Sequence, residues 1–144
     1  MSRAELIALK EWLEENMSTG IIPQSSSPVA APVLYAMKPD GGLWFCIHYR
    51  DIHSNTTKDR YPHPLIEEQL NLPRKGSVHM KPDVCGAYNL LRVKDRDEPE
   101  LAFRTRDGLF GPMVMQFETT NAPEDFQGYI NTTISEALDD FALA

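Results

Sequence analysis

The stretch 33-VLYAMKPDGGLWFCIHYR-50 contains the clearest structural pattern in the chain. Its two halves, VLYAMK and LWFCIHYR, are rich in β-branched and aromatic residues, which favour strands. The four residues between them, Pro39-Asp40-Gly41-Gly42, have typical turn chemistry, because proline presets φ and glycine accepts positive φ. The stretch therefore predicts a β-hairpin.

Two elements are predicted before the hairpin. From Ala4 to Asn16, leucine and tryptophan recur at three- and four-residue intervals with charged residues between them, which indicates an amphipathic helix. Gly20 follows as a stop signal. The stretch 21–32 contains three prolines and a serine triplet, so it is predicted to be an extended connector.

The second half of the chain predicts further helices and strands. After a polar connector, these are a helix at 64–72, a strand at 78–93, a hairpin with strands at 101–106 and 111–118, and a helix from Asn121 to Leu138. Pro82 and Gly86 interrupt the first of these strands, whereas Pro123 fits the first turn of the last helix. The order predicts one α+β domain over 1–144, with antiparallel strands and flanking helices.

Composition limits the classes of function. The chain has 144 residues and 42% hydrophobic content, enough for one modest core, and no run of roughly 18 to 20 apolar residues that could span a membrane. Its charged, helical N-terminus predicts an intracellular protein, cytoplasmic or nuclear. The net charge of −7 means that nucleic-acid binding would need a local basic strip. Cys46 and Cys85 lack zinc-site spacing.

Seven stretches share their order and spacing with one known family: LKEWLEEN followed by GII, SSSPVAAPVLYAMKPDGG, the YR of CIHYRDI, RYPHPLIEEQL, PDVCGAY, LAFRTRDGLF and NAPEDFQ. Together they resemble the fingers and palm of the reverse transcriptases of gypsy-type LTR retrotransposons. Each stretch alone is weak, but the resemblance covers essentially the whole chain. It implies a reverse-transcriptase-like fingers and partial palm, descended from an RNA-directed DNA polymerase that transfers nucleotides.

The resemblance also implies site residues. Phosphoryl transfer in this family uses two Mg²⁺ ions held by carboxylates, and Asp83 matches the first of these metal-binding, catalytic aspartates. Tyr88 matches the aromatic residue beneath the incoming sugar, although a core aromatic would explain it equally well. The other implied contacts are Phe117 and Lys38 for the nucleotide, and Arg50 and Arg60 for template–primer RNA or DNA.

Three residues depart from the family pattern. Trp44 stands where the family has an arginine that contacts the triphosphate, and His48 stands where it has an aspartate. Glu118 replaces a glycine of the Met-Pro-Phe-Gly-Leu segment that shapes the nucleotide pocket. A carboxylate there would repel a triphosphate by about 1 to 4 kcal/mol at 4 Å. The nucleotide pocket is therefore expected to be altered.

The adjacent aspartates Asp139 and Asp140 are not predicted to bind metal. In the family, the remaining metal-binding aspartates belong to a Tyr-x-Asp-Asp hairpin, and the chain is expected to end before it. Neighbouring helical side chains also point about 100° apart, so this pair is predicted to be solvated helix-end charge.

Three functions follow as hypotheses. The first is a reverse-transcriptase-derived domain, catalytically inactive or domesticated, that retains nucleic-acid or protein binding. The second is an RNA-directed DNA polymerase that is active only with further parts supplied, and the third is a metal-dependent, nuclease-like activity. Unpaired edges of the palm sheet would favour a homo-oligomer or a protein partner through strand addition.

Overall fold

This computed structural model describes residues 1–39, 41–61, 67, 71, 77–138 and 142. The predicted N-terminal helix is confirmed as α1, Arg3–Ser18. It begins with a capping box, in which Glu5 N donates to Ser2 Oγ and the Glu5 carboxylate accepts from Ser2 N. Leu9 and Leu13 bury one face of α1. No helix in the described ranges is long and apolar enough to cross a bilayer.

The predicted hairpin is confirmed. Strands β1, Ala31–Met37, and β2, Leu43–Ile47, pair antiparallel with Tyr35 opposite Phe45. At the turn, Lys38 N donates to Gly42 O at 2.8 Å, and Gly41 has a φ of +83°, which glycine adopts without strain. The connector before it is irregular over 21–30, and its last two residues begin β1.

The four strands form one sheet in the order β2-β1-β3-β4. Strands β3, Phe103–Thr105, and β4, Gly108–Phe110, form a second hairpin, in which β3 lies within the predicted strand at 101–106 but β4 does not overlap the predicted strand at 111–118. The two hairpins are joined by a parallel pairing of β1 with β3, in which Ala31 lies opposite Phe103. The expectation of antiparallel strands therefore holds within each hairpin, while the long connection between them permits a parallel contact.

The hydrophobic core lies between α1 and the inner face of this sheet. Phe103 is at its centre, with ring centroids 5.8 Å from Phe45, 5.8 Å from Phe110 and 6.1 Å from Trp12. Trp12 also lies against Phe45, with a centroid separation of 4.1 Å. This aromatic packing fixes α1 beside β2, and that position creates the cleft described below.

The predicted strand at 78–93 is wrong. Residues 79–84 form neither a helix nor a strand, and a 3₁₀ helix follows at Ala87–Leu90. Gly86 precedes it with a φ of +60°, and Pro82 has no N–H to donate, so the segment cannot continue a ladder. An isolated bridge joins Arg92 to Val114.

Other boundaries also differ from the predictions. The strand expected at 111–118 lies earlier, as β4, and Gly111 N instead donates to Pro23 O at 3.0 Å. A short helix, α2, occupies Arg50–Asn55, where a connector was expected, and the last helix, α3, covers Ala122–Thr133 but not the turns up to Leu138. The predicted helix at 64–72, apart from two isolated positions, and Asp139–Asp140 lie outside the described residues.

Candidate nucleotide and nucleic-acid site

A cleft of about 370 Å³ runs along β2. It lies between α1 on one side and the segment 116–118 on the other, and Asn89 of the 3₁₀ helix adds to its lining. Ligand sites commonly have volumes of about 300 to 1,000 Å³, so the cleft is large enough for a small group or one side chain of a partner.

Aromatic rings form much of the cleft wall. Trp44 and Phe117 lie with centroids 5.2 Å apart, and both are substantially exposed. Beyond the cleft, Phe117 contacts Tyr88 at 5.5 Å, and Tyr88 contacts Phe126 of α3 at 5.8 Å. The structure thus brings together the two predicted nucleotide-binding aromatics, Tyr88 and Phe117, within a continuous row of rings.

The polar groups of the cleft have defined orientations. Asn16 Nδ2 donates to Trp12 O at 2.8 Å, and Gln116 Nε2 donates to Val114 O at 3.1 Å. Each amide therefore has its oxygen and one N–H left for further hydrogen bonds. Lys38, a predicted nucleotide contact, also lines the cleft but is exposed.

Glu118 supplies negative charge on the opposite side of the cleft from α1. Burial, followed by a hydrogen bond to Glu118 and the charge of Glu118, raises the pKa of Cys46 to about 11. Burial also raises the pKa of Tyr49 well above its usual value, with the charge of Glu118 as a smaller cause. The main chain here is held by His53, whose Nε2 lies 2.6 Å from Glu118 O and must donate to it.

Asp83 does not line this cleft. It is exposed in the irregular segment before Gly86. Within the ranges that the structure describes, no group of three or more His, Cys, Asp or Glu residues is placed to hold a metal ion. The metal-binding role of Asp83 therefore stays a prediction.

The predicted nucleic-acid contacts are on the surface. Arg50 is exposed at the start of α2, and Arg60 is exposed in the segment that follows α2. That segment is held against α3, because Asn121 Nδ2 donates to Thr57 O at 3.0 Å and Asp59 N donates to Asn121 Oδ1 at 3.2 Å. Both arginines are therefore available to a polyanion but do not belong to the cleft.

Comparison with known proteins identifies relatives of this chain. No protein-family model matches it. It is 35% identical over 130 residues to the Transposon Tf2-3 polyprotein of Schizosaccharomyces pombe, which covers 90% of this chain. The Transposon Tf2-7 polyprotein of the same organism is 34% identical over 129 residues. The chain spans only 10% of the length of each of these relatives.

Solved structures match the fold. The foamy viral protease-reverse transcriptase in complex with RNA/DNA hybrid has a TM-score of 0.79 and 12% identity over 96% of this chain and 19% of that chain. The chain is a reverse-transcriptase-like relative of retrotransposon polyproteins. The foamy viral protease-reverse transcriptase dRH with ds DNA also matches, with a TM-score of 0.76 and 11% identity over 100% of this chain and 24% of that chain.

For some residues of this reverse-transcriptase-like chain, nothing in the sequence indicated that they line the cleft. Asn16 and Gln116 enter the cleft because α1 and the segment 116–118 lie on either side of β2. Trp12 was predicted only as part of the apolar face of a helix. The departures at Trp44 and Glu118, in contrast, pointed to this cleft from sequence alone, since both were expected at a nucleotide pocket.

Proposed function

We propose that the chain is the fingers and part of the palm of a gypsy-type reverse-transcriptase relative. In this proposal it contacts template–primer nucleic acid, and its nucleotide cleft does not support nucleotidyl transfer. The observation that carries the proposal is the presence of Trp44, Phe117 and Glu118 together in one cleft of a reverse-transcriptase-like fold.

The first support is the fold itself. Two of the matching structures are complexes with ds DNA or with RNA/DNA hybrid, so a fold of this shape presents a surface to a duplex in those proteins. In this chain the exposed cations Arg50 and Arg60 are the predicted phosphate contacts. Because both arginines lie outside the cleft, the proposed duplex contacts do not require a nucleotide to bind in the cleft.

The second support is the charge and shape of the cleft. A triphosphate would approach the carboxylate of Glu118 instead of the family's glycine, and would find the indole of Trp44 instead of a guanidinium. Lys38 is exposed, so water screens its charge and weakens the compensation that it offers. The net effect opposes a polyanion by about 1 to 4 kcal/mol at 4 Å from the carboxylate.

Magnesium stays a prediction that rests on the resemblance. The described residues offer Asp83 without the further carboxylates that a pair of ions requires. The chain's own residues would position a duplex through surface cations, which requires no metal.

Salt-dependent binding tests the proposal. We expect a fluorescently labelled RNA/DNA primer–template to bind, with an affinity that falls as salt rises, because each phosphate contact releases counterions. Arg50→Gln and Arg60→Gln should each reduce the slope of log affinity against log salt by about 1. Fluorescence anisotropy at several salt concentrations measures both quantities.

The matched control for these substitutions is Arg3→Gln, an exposed arginine at the start of α1. It should leave the slope unchanged. Absence of binding at low salt, or an affinity that does not change with salt, would contradict the proposed nucleic-acid contact.

A further inference from the structure

The cleft beside β2 combines aromatic faces with hydrogen-bond acceptors. The amide nitrogens of Asn16 and Gln116 each donate one hydrogen bond to a carbonyl oxygen, so each side chain keeps its oxygen as an acceptor and has one N–H left. Glu118 adds a carboxylate, which only accepts. A group that donates hydrogen bonds finds acceptors in the Glu118 carboxylate and the two amide oxygens, and Trp44 and Phe117 favour a flat group.

The charge around the cleft also favours a cation. Among the described residues, the ion pairs within 4 Å do not include Glu118, so its carboxylate lacks a partner of opposite charge. On another wall, burial and then the charge of Glu5 raise the pKa of Tyr35. Lys38 opposes this negative potential, but it is exposed whereas Glu118 is partly buried.

The backbone of β2 adds a second kind of recognition. Lys38 N donates to Gly42 O, and His48 N donates to Pro32 O, both at 2.8 Å. Because hydrogen-bonded pairs alternate in an antiparallel ladder, Trp44 and Cys46 also bond towards β1. The intervening Leu43 and Phe45 therefore direct their N–H and C=O groups away from β1.

Leu43 and Phe45 both line the cleft, and β2 is the last strand of the described sheet on this side. Their outward backbone groups can therefore pair with an extended peptide that adds to the edge of β2. A peptide in this position would run along the cleft and could place one side chain between the rings and Glu118.

We infer that the cleft binds the guanidinium group of an arginine side chain presented by an extended peptide segment of a partner protein. A guanidinium is planar, carries five N–H donors and no acceptor, and stacks on aromatic rings. It therefore matches the acceptors, the carboxylate and the rings at once. This role is separate from nucleic-acid binding and is testable without any nucleic acid.

Calorimetric titration with short peptides tests this inference. A capped valine-arginine-valine tripeptide is expected to bind at least about tenfold more tightly than the same peptide with citrulline, which keeps the shape and loses the charge. Glu118→Gln should weaken the arginine peptide by about tenfold, whereas Glu136→Gln, an exposed carboxylate outside the cleft, should have no effect.

The substitution Lys38→Met distinguishes a cation site from an anion site most directly. It should tighten binding of the arginine peptide by about threefold, because it removes a like charge from the cleft, whereas an anion site would lose affinity. Equal binding of the arginine and citrulline peptides, weaker binding in Lys38→Met, or no binding of either peptide would overturn the inference. If a single capped arginine residue binds as tightly as the tripeptide, the proposed pairing of the peptide backbone with the edge of β2 is overturned.

Discussion

Replacing Phe103 by alanine is expected to lower the free energy of unfolding by about 3 to 5 kcal/mol. Phe103 is 0% exposed and contacts the rings of Trp12, Phe45 and Phe110. Its removal would leave a cavity where α1, β2 and β4 meet, which these packed rings could fill only in part. Since domains are stable by about 5 to 15 kcal/mol, a large fraction of the stability would be lost.

Urea denaturation followed by circular dichroism measures this loss. Phe117→Ala is the matched control, because it makes the same truncation at a side chain that is 57% exposed, and its cost should stay near or below 1 kcal/mol. Equal losses for the two variants would contradict the placement of Phe103 at the centre of the core.

Tyr49 is expected to make stability fall at high pH. Its side chain is 2% exposed, and its hydroxyl donates to Leu101 O at 2.7 Å. Burial, and to a smaller extent the charge of Glu118, raises its pKa in the folded state. In the unfolded chain, tyrosine has a pKa of about 10. Tyr49 therefore contributes stability that is fully present below pH 10 and declines as pH rises above it.

The direction follows from proton binding. Above pH 10 the unfolded state has lost the tyrosine proton while the folded state keeps it, so unfolding becomes easier by about 1.4 kcal/mol per pH unit. At pH 8, Tyr49→Phe should cost about 1 to 3 kcal/mol, because Leu101 O loses its buried donor. At pH 11, the difference between wild type and Tyr49→Phe should be smaller by about 1.4 kcal/mol.

Urea titrations of the wild type and Tyr49→Phe at pH 8 and pH 11 give this difference directly. The other groups that titrate in this range are the same in both proteins, so their contributions cancel. Tyr129→Phe serves as control, since Tyr129 is 44% exposed and loses the same hydroxyl. A stability difference for Tyr49→Phe that stays constant from pH 8 to pH 11 would argue against a buried, neutral phenol.

The parts of the fold that local chemistry determines were predictable. Turn residues between two apolar runs predicted the β1–β2 hairpin, and the Asn121-Ala122-Pro123 sequence predicted the start of α3. Periodicity was misleading at 78–93, where apolar residues suggested a strand but Pro82 and Gly86 prevented pairing. The parallel contact of β1 with β3 joins residues far apart in sequence, and no local pattern specifies it.

The candidate site was predictable to a similar extent. The resemblance identified Lys38 and Phe117, and both line the cleft, while the altered positions Trp44 and Glu118 line it as well. Asn16 could not be predicted, because its place depends on how α1 packs against the sheet through Trp12 and Phe45. The meeting of Asn16 and Gln116 with Glu118 in one cleft depends on such tertiary contacts and therefore required the structure.

The most direct test of the account is whether the cleft accepts a nucleoside triphosphate. Isothermal titration of the chain with a deoxynucleoside triphosphate and Mg²⁺ should show no binding up to about 1 mM, the upper end of usual substrate affinities. The double substitution Trp44→Arg with Glu118→Gly, which restores the family's residues, should bind more tightly than the wild type. Binding of the triphosphate by the wild-type chain in the micromolar range, unimproved by the double substitution, would contradict the account.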